Sequence, residues 1–459
     1  MRILVTALMC SGIDVEDLDD FYYGFEIPQI GKEFDLLKFG LSECLNIELK
    51  SEMVAEEKIK SQLLKNRYYL SHLGKPIVQY TVVTTPFCCF SVSNGDELIS
   101  VPFYELTNKI KTFCTDHNAE IDKMFRASDF LVSPLNTPEK FINGQYFLTQ
   151  AQDQIKNNLV SDASMCRSVG FFSITGKPGT GKTLLLYDLA KMFSAKGRTA
   201  VIHCGKLADG QRILNESINN FKVVAAGQLK DVPNLLDEHK YILVDEAHRI
   251  YPNQFEKICE DVKKNNQLCI FSSDPEQVLS STERRNGITH KINELPLIGK
   301  YELSEKIRTN KELASFIIAM RNLTKRSYVP MDYSNVSLNY ASNPEEAKLL
   351  IQYFKKRGYV FINYSKSNYF YSPYSQYEED FDTHHVIGQE FDNVLMLLDK
   401  SFYYDTEGKL QGIPHPNPDY LYPNLFYQGI TRVREKISLI IVDAPDLFDK
   451  ISSIVEVRS

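Results

Sequence analysis

A chain of 459 residues with 43% apolar content is too long for one ordinary hydrophobic core and can fill several, so two to four domains are expected. The formal net charge of -7 excludes capture of a polyanion by overall attraction and leaves that task to local basic surface. Nine scattered cysteines with no Cys-x-x-Cys pair argue against a disulfide framework, and the apolar run at residues 1–10 is short and soon followed by Asp14, Glu16 and Asp17. A reduced, cytoplasmic protein without a secretory signal or membrane span is expected.

The first block, residues 1–126, reads as a mixed α/β unit. Strand patterns run over 33–39, 44–50, 76–84, 88–93 and 98–101, with a helix over 55–73. Gly40 makes the turn of a hairpin. Period-2 geometry puts Glu33 and Asp35 on one face and Glu48 and Lys50 on one face, so the hairpin brings Asp35, Glu48 and Lys50 together. Carboxylate oxygens converging in this way suit Mg²⁺ or Mn²⁺, and a nearby lysine orients a water or neutralises charge developing on a phosphodiester. A solvated hairpin face without chemistry is the alternative.

Residues 127–142 are read as a linker. Residues 143–298 alternate apolar strand runs (170–175, 199–203, 240–244, 268–272) with helical stretches, and the rhythm returns over 299–459 with strands at 358–363, 393–398 and 437–442. Such alternation predicts two α/β domains, each a parallel sheet with crossover helices, and a cleft between them.

Gly176, Lys177, Pro178, Gly179, Thr180, Gly181, Lys182 and Thr183 lie between a strand run and a helical run. The glycines let the backbone curl so that N–H groups and the helix N-terminus face phosphates. Lys182 then reaches the β- and γ-phosphates, and the Thr183 hydroxyl ligates Mg²⁺. The run 240–244 ends in Asp245, Glu246, Ala247 and His248. Acids at the carboxyl end of a strand beside such a loop place Asp245 to hold Mg²⁺ and Glu246 to activate the attacking water. ATP with Mg²⁺ is the expected ligand.

These motifs, with five more in order, resemble the superfamily 1 helicases, and in particular their compact Schlafen-type branch. Leu148-Thr149-Gln150-Ala151-Gln152 resembles the motif whose glutamine reads adenine, implying Gln152. Ser273-Asp274-Pro275-Glu276-Gln277 resembles the γ-phosphate sensor, implying Gln277. The run 303–309 is similar to the motif that supplies one arginine finger, Arg308. His384 to Asp392 resembles the motif whose glutamate contacts the nucleotide sugar, implying Glu390. Tyr427 to Glu435 resembles the last motif, whose arginine, Arg432, completes the site. The resemblance implies two RecA-like P-loop NTPase domains that close on ATP and move along nucleic acid.

Two departures qualify it. The spacers between His203 and Asp245 and between Arg308 and Thr383 are too short for large accessory insertions, and Asp382 stands where relatives carry a threonine. Strand-stacking candidates are Tyr364, Tyr369, Tyr371 and Phe391; phosphate-contact candidates are the basic clusters Lys263-Lys264 and Lys355-Lys356-Arg357.

In the first block, the order of acid, spacer and Glu-x-Lys, followed by a helix carrying Gln62, resembles the PD-(D/E)XK, or restriction-endonuclease-like, nuclease fold. Together the resemblances imply a metal-dependent nuclease fused to an ATP-driven translocase or helicase. Its partner would be DNA more than RNA, in bacterial repair or phage defence, with no membrane and with room for a protein partner or second copy. The alternative is an ATP-switched module that clamps nucleic acid or a protein, with a first block that recognises without chemistry.

Overall fold

The computed structural model describes residues 1–27, 32–93, 95–125, 132–165, 169–232, 234–275, 277–304, 311–326, 331–366, 372–413 and 420–456. The chain divides into two compact units, Met1–Leu131 and Val132–Ser459.

The first unit is built on one six-stranded sheet in sequential order: β1 (Tyr22–Ile27), β2 (Lys32–Phe39), β3 (Cys44–Lys50), β4 (Ile77–Thr84), β5 (Phe87–Val92) and β6 (Leu98–Val101). Neighbours are antiparallel except β3 and β4, which run parallel because the helix Glu56–Ser71 carries the chain back between them. Alternation sorts the strand side chains onto two faces. Leu45, Ile47, Tyr80 and Val82 pack with Leu4, Leu8, Leu106 and Ile110 from the helices Arg2–Cys10 and Phe103–Lys111. Val83, Phe90 and Val92 pack under Ile59 and Leu63 of the crossover helix. Gly40 is required at the β2–β3 turn, where a Cβ would come within 2.8 Å of the Cys114 carbonyl. β1 was not among the expected strands.

The second unit holds two parallel sheets. The first comprises β7 (Gly170–Gly176), β8 (Thr199–His203), β9 (Phe221–Ala225), β10 (Tyr241–Asp245), β11 (Leu268–Ser273) and β12 (Leu297–Leu303), in the order β12-β7-β11-β10-β8-β9. Its central strands β7, β8, β10 and β11 are buried and largely apolar because both faces are covered, whereas Lys222 on β9 and Lys300 and Glu302 on β12 mark the two edges. Phe172, Ile174, Leu243 and Ile270 enter one core, while Phe171, Ile242, Val244 and Phe271 enter the other. At roughly 1.5–3 kcal/mol for each large side chain removed from water, these two layers hold the strand ends that form the site in fixed register.

The second sheet is assembled from β13 (Val336–Ala341), β14 (Val360–Asn363), β15 (Phe381–Asp382), β16 (Phe391–Asp399) and, after the hairpin of β17 (Phe402–Tyr404) with β18 (Leu410–Gly412), β19 (Val433–Val442). Its order is β13-β19-β16-β14-β15.

Two expected boundaries shift. β12 pairs with β7 from Leu297 to Leu303, so the first sheet continues past the division expected at 298/299. Of the expected linker, Val132, Leu135 and Phe141 are buried in a core beneath the first sheet of the second unit. β9 and β13, unforeseen in the sequence, are edge strands, and β13 is only half-buried, which blunts its apolar signal.

Candidate nucleotide site

β7 ends at Gly176, where a Cβ would lie 2.7 Å from the Thr180 hydroxyl and 2.8 Å from the Leu303 carbonyl. Gly179 and Gly181 have φ of 81° and 80°, left-handed values that glycine adopts without strain, and the helix Lys182–Ser194 starts directly after them. The loop therefore directs backbone N–H groups and a helix N-terminus to one point. Lys182 Nζ is buried there, donating to the carbonyls of Gly176 at 2.7 Å and Lys177 at 3.0 Å, with Asp274 Oδ2 at 3.8 Å. Thr183 is buried in the first turn of the helix.

Asp245 closes β10. One of its oxygens accepts the Glu246 N–H at 3.1 Å, and the other lies 3.2 Å from His203 Nδ1. Glu246 has φ of 56°, a left-handed conformation rare for a residue with a side chain. Its Oε2 accepts Arg249 Nε at 3.1 Å and lies 3.6 Å from His248 Nε2. Burial pushes the Glu246 carboxyl upward, but the cations of Arg249, Lys182 and Arg432 outweigh it and hold the group ionised well below the usual carboxylate range. Burial, reinforced by Arg249, pushes His248 down to about 3, so this ring is neutral at pH 7. The Asp274 N–H donates to His248 Nδ1 at 3.1 Å, which assigns the ring proton to Nε2, facing Glu246.

The second sheet contributes from its amino-terminal edge, just before β19. Arg432, buried just beyond the helix Tyr422–Ile430, donates from Nε to the Gln428 carbonyl at 3.1 Å. The Gln428 side chain accepts Arg249 at 3.4 Å through Oε1, while its Nε2 is buried without a hydrogen-bond partner among the described residues. Gln277 Nε2 is equally buried and unpartnered. A buried donor left unmade costs about 1–3 kcal/mol, and phosphate oxygens or an attacking water are acceptors that would relieve it. Thr183 and Asp245 offer the hard oxygens that suit Mg²⁺, which takes one or two protein oxygens beside phosphates and waters.

Other expected residues have more specific surroundings. Gln152 is buried; its Nε2 donates to the carbonyls of Thr180 and Gly181 at 3.3 and 3.2 Å, and its Oε1 accepts the Thr149 N–H at 2.9 Å. It thus braces the phosphate loop. The Glu390 backbone is clamped to Asn136 by two hydrogen bonds of 3.0 Å. Gly388, at φ of 78°, comes so close that a Cβ would lie 2.7 Å from Leu135 and 4.0 Å from Thr183. Arg308, Tyr369 and Tyr371 lie outside the described residues.

Tyr364 is not a stacking surface: it is fully buried, donates its hydroxyl to the Leu397 carbonyl at 2.7 Å and packs on Tyr374 and Tyr422. Phe391 packs on Phe381. Within the basic clusters, Lys355 pairs with Asp380 at 2.6 Å, Lys264 approaches Asp237 at 3.9 Å, and Arg357 covers Tyr353. Sequence reasoning missed Arg249, His203, Gln428 and Asn136. Arg249 stands three positions after Glu246, and Gln428 lies within the last quoted motif; nothing local marks His203 or Asn136.

In the first unit the β2–β3 ladder ends at Leu36–Ile47. Beyond it the Asp35 carboxylate takes the strand's place, accepting the Leu49 N–H at 2.8 Å. Glu48 is buried beneath the helix Glu56–Ser71 and accepts from Asn46 at 3.2 Å, Asn66 at 2.7 Å and Gln62. Burial raises its carboxyl, with Lys32 opposing and Asp35 reinforcing the shift. Lys50, next but one on the same strand, is half-buried. Asp35 and Glu48 form a carboxylate pair; among the described residues no cluster of three or more His, Cys, Asp or Glu side chains suits a metal ion.

Residues 170–362 match the family model described as "Schlafen group 3, DNA/RNA helicase domain". The match begins at β7 and ends within β14, so the motifs at 384–392 and 427–435 and the whole first unit lie outside it. No curated protein matches the chain. Similar solved structures include a Pif1 helicase described in DNA unwinding at forked duplex DNA, at 14% identity and TM-score 0.36, covering 65% of this chain and 92% of that one. Pif1 from Candida albicans follows at 11% identity and TM-score 0.33, covering 64% and 94%. The DUF1998 helicase MrfA bound to DNA has 11% identity and TM-score 0.32, covering 70% and 54%. Across residues 170–362, the chain carries a helicase-like P-loop domain similar to that of Schlafen group 3.

Proposed function

We propose that the protein is an ATP-driven nucleic-acid translocase or helicase, acting on DNA in preference to RNA, with a metal-dependent nuclease in its first unit. The observation that carries the motor reading is the placement of Arg432 and Gln428, from the second sheet, against Glu246 and Arg249 of the first. Phosphoryl transfer is mostly positioning and charge stabilisation, and an arginine from a second lobe contributes a thousandfold or more (~10³–10⁵). Lys182 would hold the β- and γ-phosphates, Thr183 and Asp245 a Mg²⁺ ion, Glu246 the attacking water, Gln277 the γ-phosphate, and Arg432 with Arg308 the charge that develops in the transition state. Glu390 would contact the nucleoside sugar, while Gln152 would brace the phosphate loop. Mg²⁺ would supply neutralisation of phosphate charge.

The nuclease reading rests on Asp35, Glu48 and Lys50 at adjacent strand ends, with Gln62 on the crossover helix. Asp35 and Glu48 would hold Mg²⁺ or Mn²⁺, and Lys50 would orient a water. The amide donors around Glu48 favour a second reading, a recognition unit without chemistry. Fusion of a nuclease to a motor fits bacterial DNA repair or antiviral defence in the cytoplasm.

The test is one assay. The full chain is incubated with labelled single-stranded DNA, duplex DNA and RNA, with and without ATP and Mg²⁺ or Mn²⁺, and phosphate release and fragment lengths are followed. Hydrolysis stimulated by DNA, together with metal-dependent shortening, is expected. Hydrolysis indifferent to every nucleic acid contradicts the motor reading, and intact substrate at every metal contradicts the nuclease.

A further inference from the structure

A large cavity in the second unit, about 1340 Å³, lies between the helix Ser281–Asn286 on one side and the helices Lys311–Arg321 and Tyr422–Ile430 with β18 on the other. Its walls carry six cations: Lys177, Arg284, Arg285, Arg321, Lys325 and Lys409. Among the described residues no carboxylate lines it, which is unexpected in a chain of net charge -7. Arg284, Arg285 and Lys325 are exposed and make no ion pair among the described residues, whereas Lys409 is held by Glu407 at 2.5 Å. Gathering Arg284, Arg285 and Lys325 on one cavity without a carboxylate in its lining is unfavourable unless an anion is to be bound.

The volume exceeds the ~300–1,000 Å³ of ordinary small-molecule pockets, and the charge is spread over several elements. A chain of phosphates matches this spread better than one triphosphate, whose own cradle is the loop at Gly176 to Thr183. In the same wall the Arg321 guanidinium lies over the Tyr427 ring at 4.3 Å and Tyr420 packs against His384, so a strand would be held through its phosphates.

The cavity is also tied to the nucleotide site. Directly after Gln277, the Val278 carbonyl accepts Asn424 Nδ2 at 2.6 Å and the Leu279 carbonyl accepts the Leu421 N–H at 2.9 Å; Ser280 then bridges to Tyr420. Arg284 and Arg285 follow on the same segment. The helix that presents Tyr427 and Ile430 to the cavity presents Gln428 to Arg249.

We propose that this cavity holds the sugar–phosphate chain of a single nucleic-acid strand, with Arg284, Arg285 and Lys325 as its phosphate contacts. The assignment rests on the nucleic-acid motor reading above and names the surface that reading lacked.

The test measures binding of a fluorescein-labelled oligodeoxythymidylate to the full chain by anisotropy over a salt series. The variants are Arg284→Glu with Arg285→Glu, and separately Lys325→Glu, on the other side of the cavity; circular-dichroism melting checks their folding. The double variant is expected to bind at least tenfold more weakly, and its salt slope to fall by about 1.4, since each single-strand phosphate contact contributes about 0.7. Lys325→Glu should lower the slope by about half as much. Tight wild-type binding with unchanged affinity and slope in both variants would overturn the cavity assignment and leave the motor reading standing. No wild-type binding at low salt would overturn both. An equal loss of affinity for a fluorescent ATP analogue would assign the cavity to the nucleotide, and displacement of the oligonucleotide by polyglutamate at equal charge would reduce it to an unspecific anion surface.

Discussion

Glu48 and Glu246 are both buried strand-end glutamates, and they are held in opposite ways. Amide side chains surround Glu48, and burial raises its carboxyl. Glu246 is enclosed by Arg249, Lys182 and Arg432, and their charge lowers it despite its own desolvation. Hydrogen bonds from neutral amides satisfy lone pairs but supply little charge, whereas guanidinium groups supply both. The two carboxylates are therefore built for different work. Under the proposed function, Glu246 would be the anion that orients a water in front of phosphate, and Glu48 would exchange its amide partners for a cation.

The largest effect expected is on turnover. Glu246→Gln should lower ATP hydrolysis by roughly 10²–10⁴-fold while nucleotide is retained, measured by phosphate release beside filter binding, and Lys182→Ala should abolish hydrolysis. Preserved turnover in either would remove the charge contrast from the chemistry. Lys50→Ala, at the other site, should eliminate metal-dependent cleavage yet leave ATPase at the wild-type rate; unchanged fragment lengths would favour the recognition reading.

The next effect is on stability. Arg249→Ala leaves Glu246 buried with its nearest cation removed and should cost about 3–5 kcal/mol in chemical denaturation. Asn66→Ala removes one amide from Glu48 and should cost about 1–3 kcal/mol. Equal losses would mean that the two enclosures do not differ.

The smallest effect is the dependence on pH. The folded carboxyl of Glu246 lies below its ordinary value of 4.5, so its contribution is present above that value and is lost as pH falls toward the folded value. Glu48 is raised above 4.5, so its contribution is present below that value and is lost as pH rises through the folded value. Melting of Glu246→Gln and Glu48→Gln against wild type, between about pH 4 and 7, should therefore give slopes of opposite sign. Slopes of one sign would contradict the assigned surroundings.

Much of the P-loop domain was legible in the sequence because its motifs are short strings at strand ends. Gly176 to Thr183, Asp245-Glu246 and the run around Arg432 each need only local geometry to be read. The contacts between the two sheets were not legible: Arg249 with Gln428 and Asn136 with Glu390 join positions far apart in the chain through ordinary polar side chains. Burial changed other readings. Tyr364 proved to be core, Gln152 braces the loop, and β12 joined the first sheet because pairing with β7 decides what composition leaves open. In the first unit, alternation located β2 and β3, but only the parting of the strands after Leu36 explains why Asp35 caps Leu49.

Under the proposed function, one ATP is worked on by residues of both sheets and nucleic acid drives the cycle. Steady-state hydrolysis by wild type and by Arg432→Ala, each with and without single-stranded DNA, tests it most directly. Strong stimulation of the wild type by DNA is expected, with a kcat lower by about a thousandfold in the variant and nucleotide affinity little changed. A variant that loses only affinity, or a wild type that DNA leaves unstimulated, would contradict it.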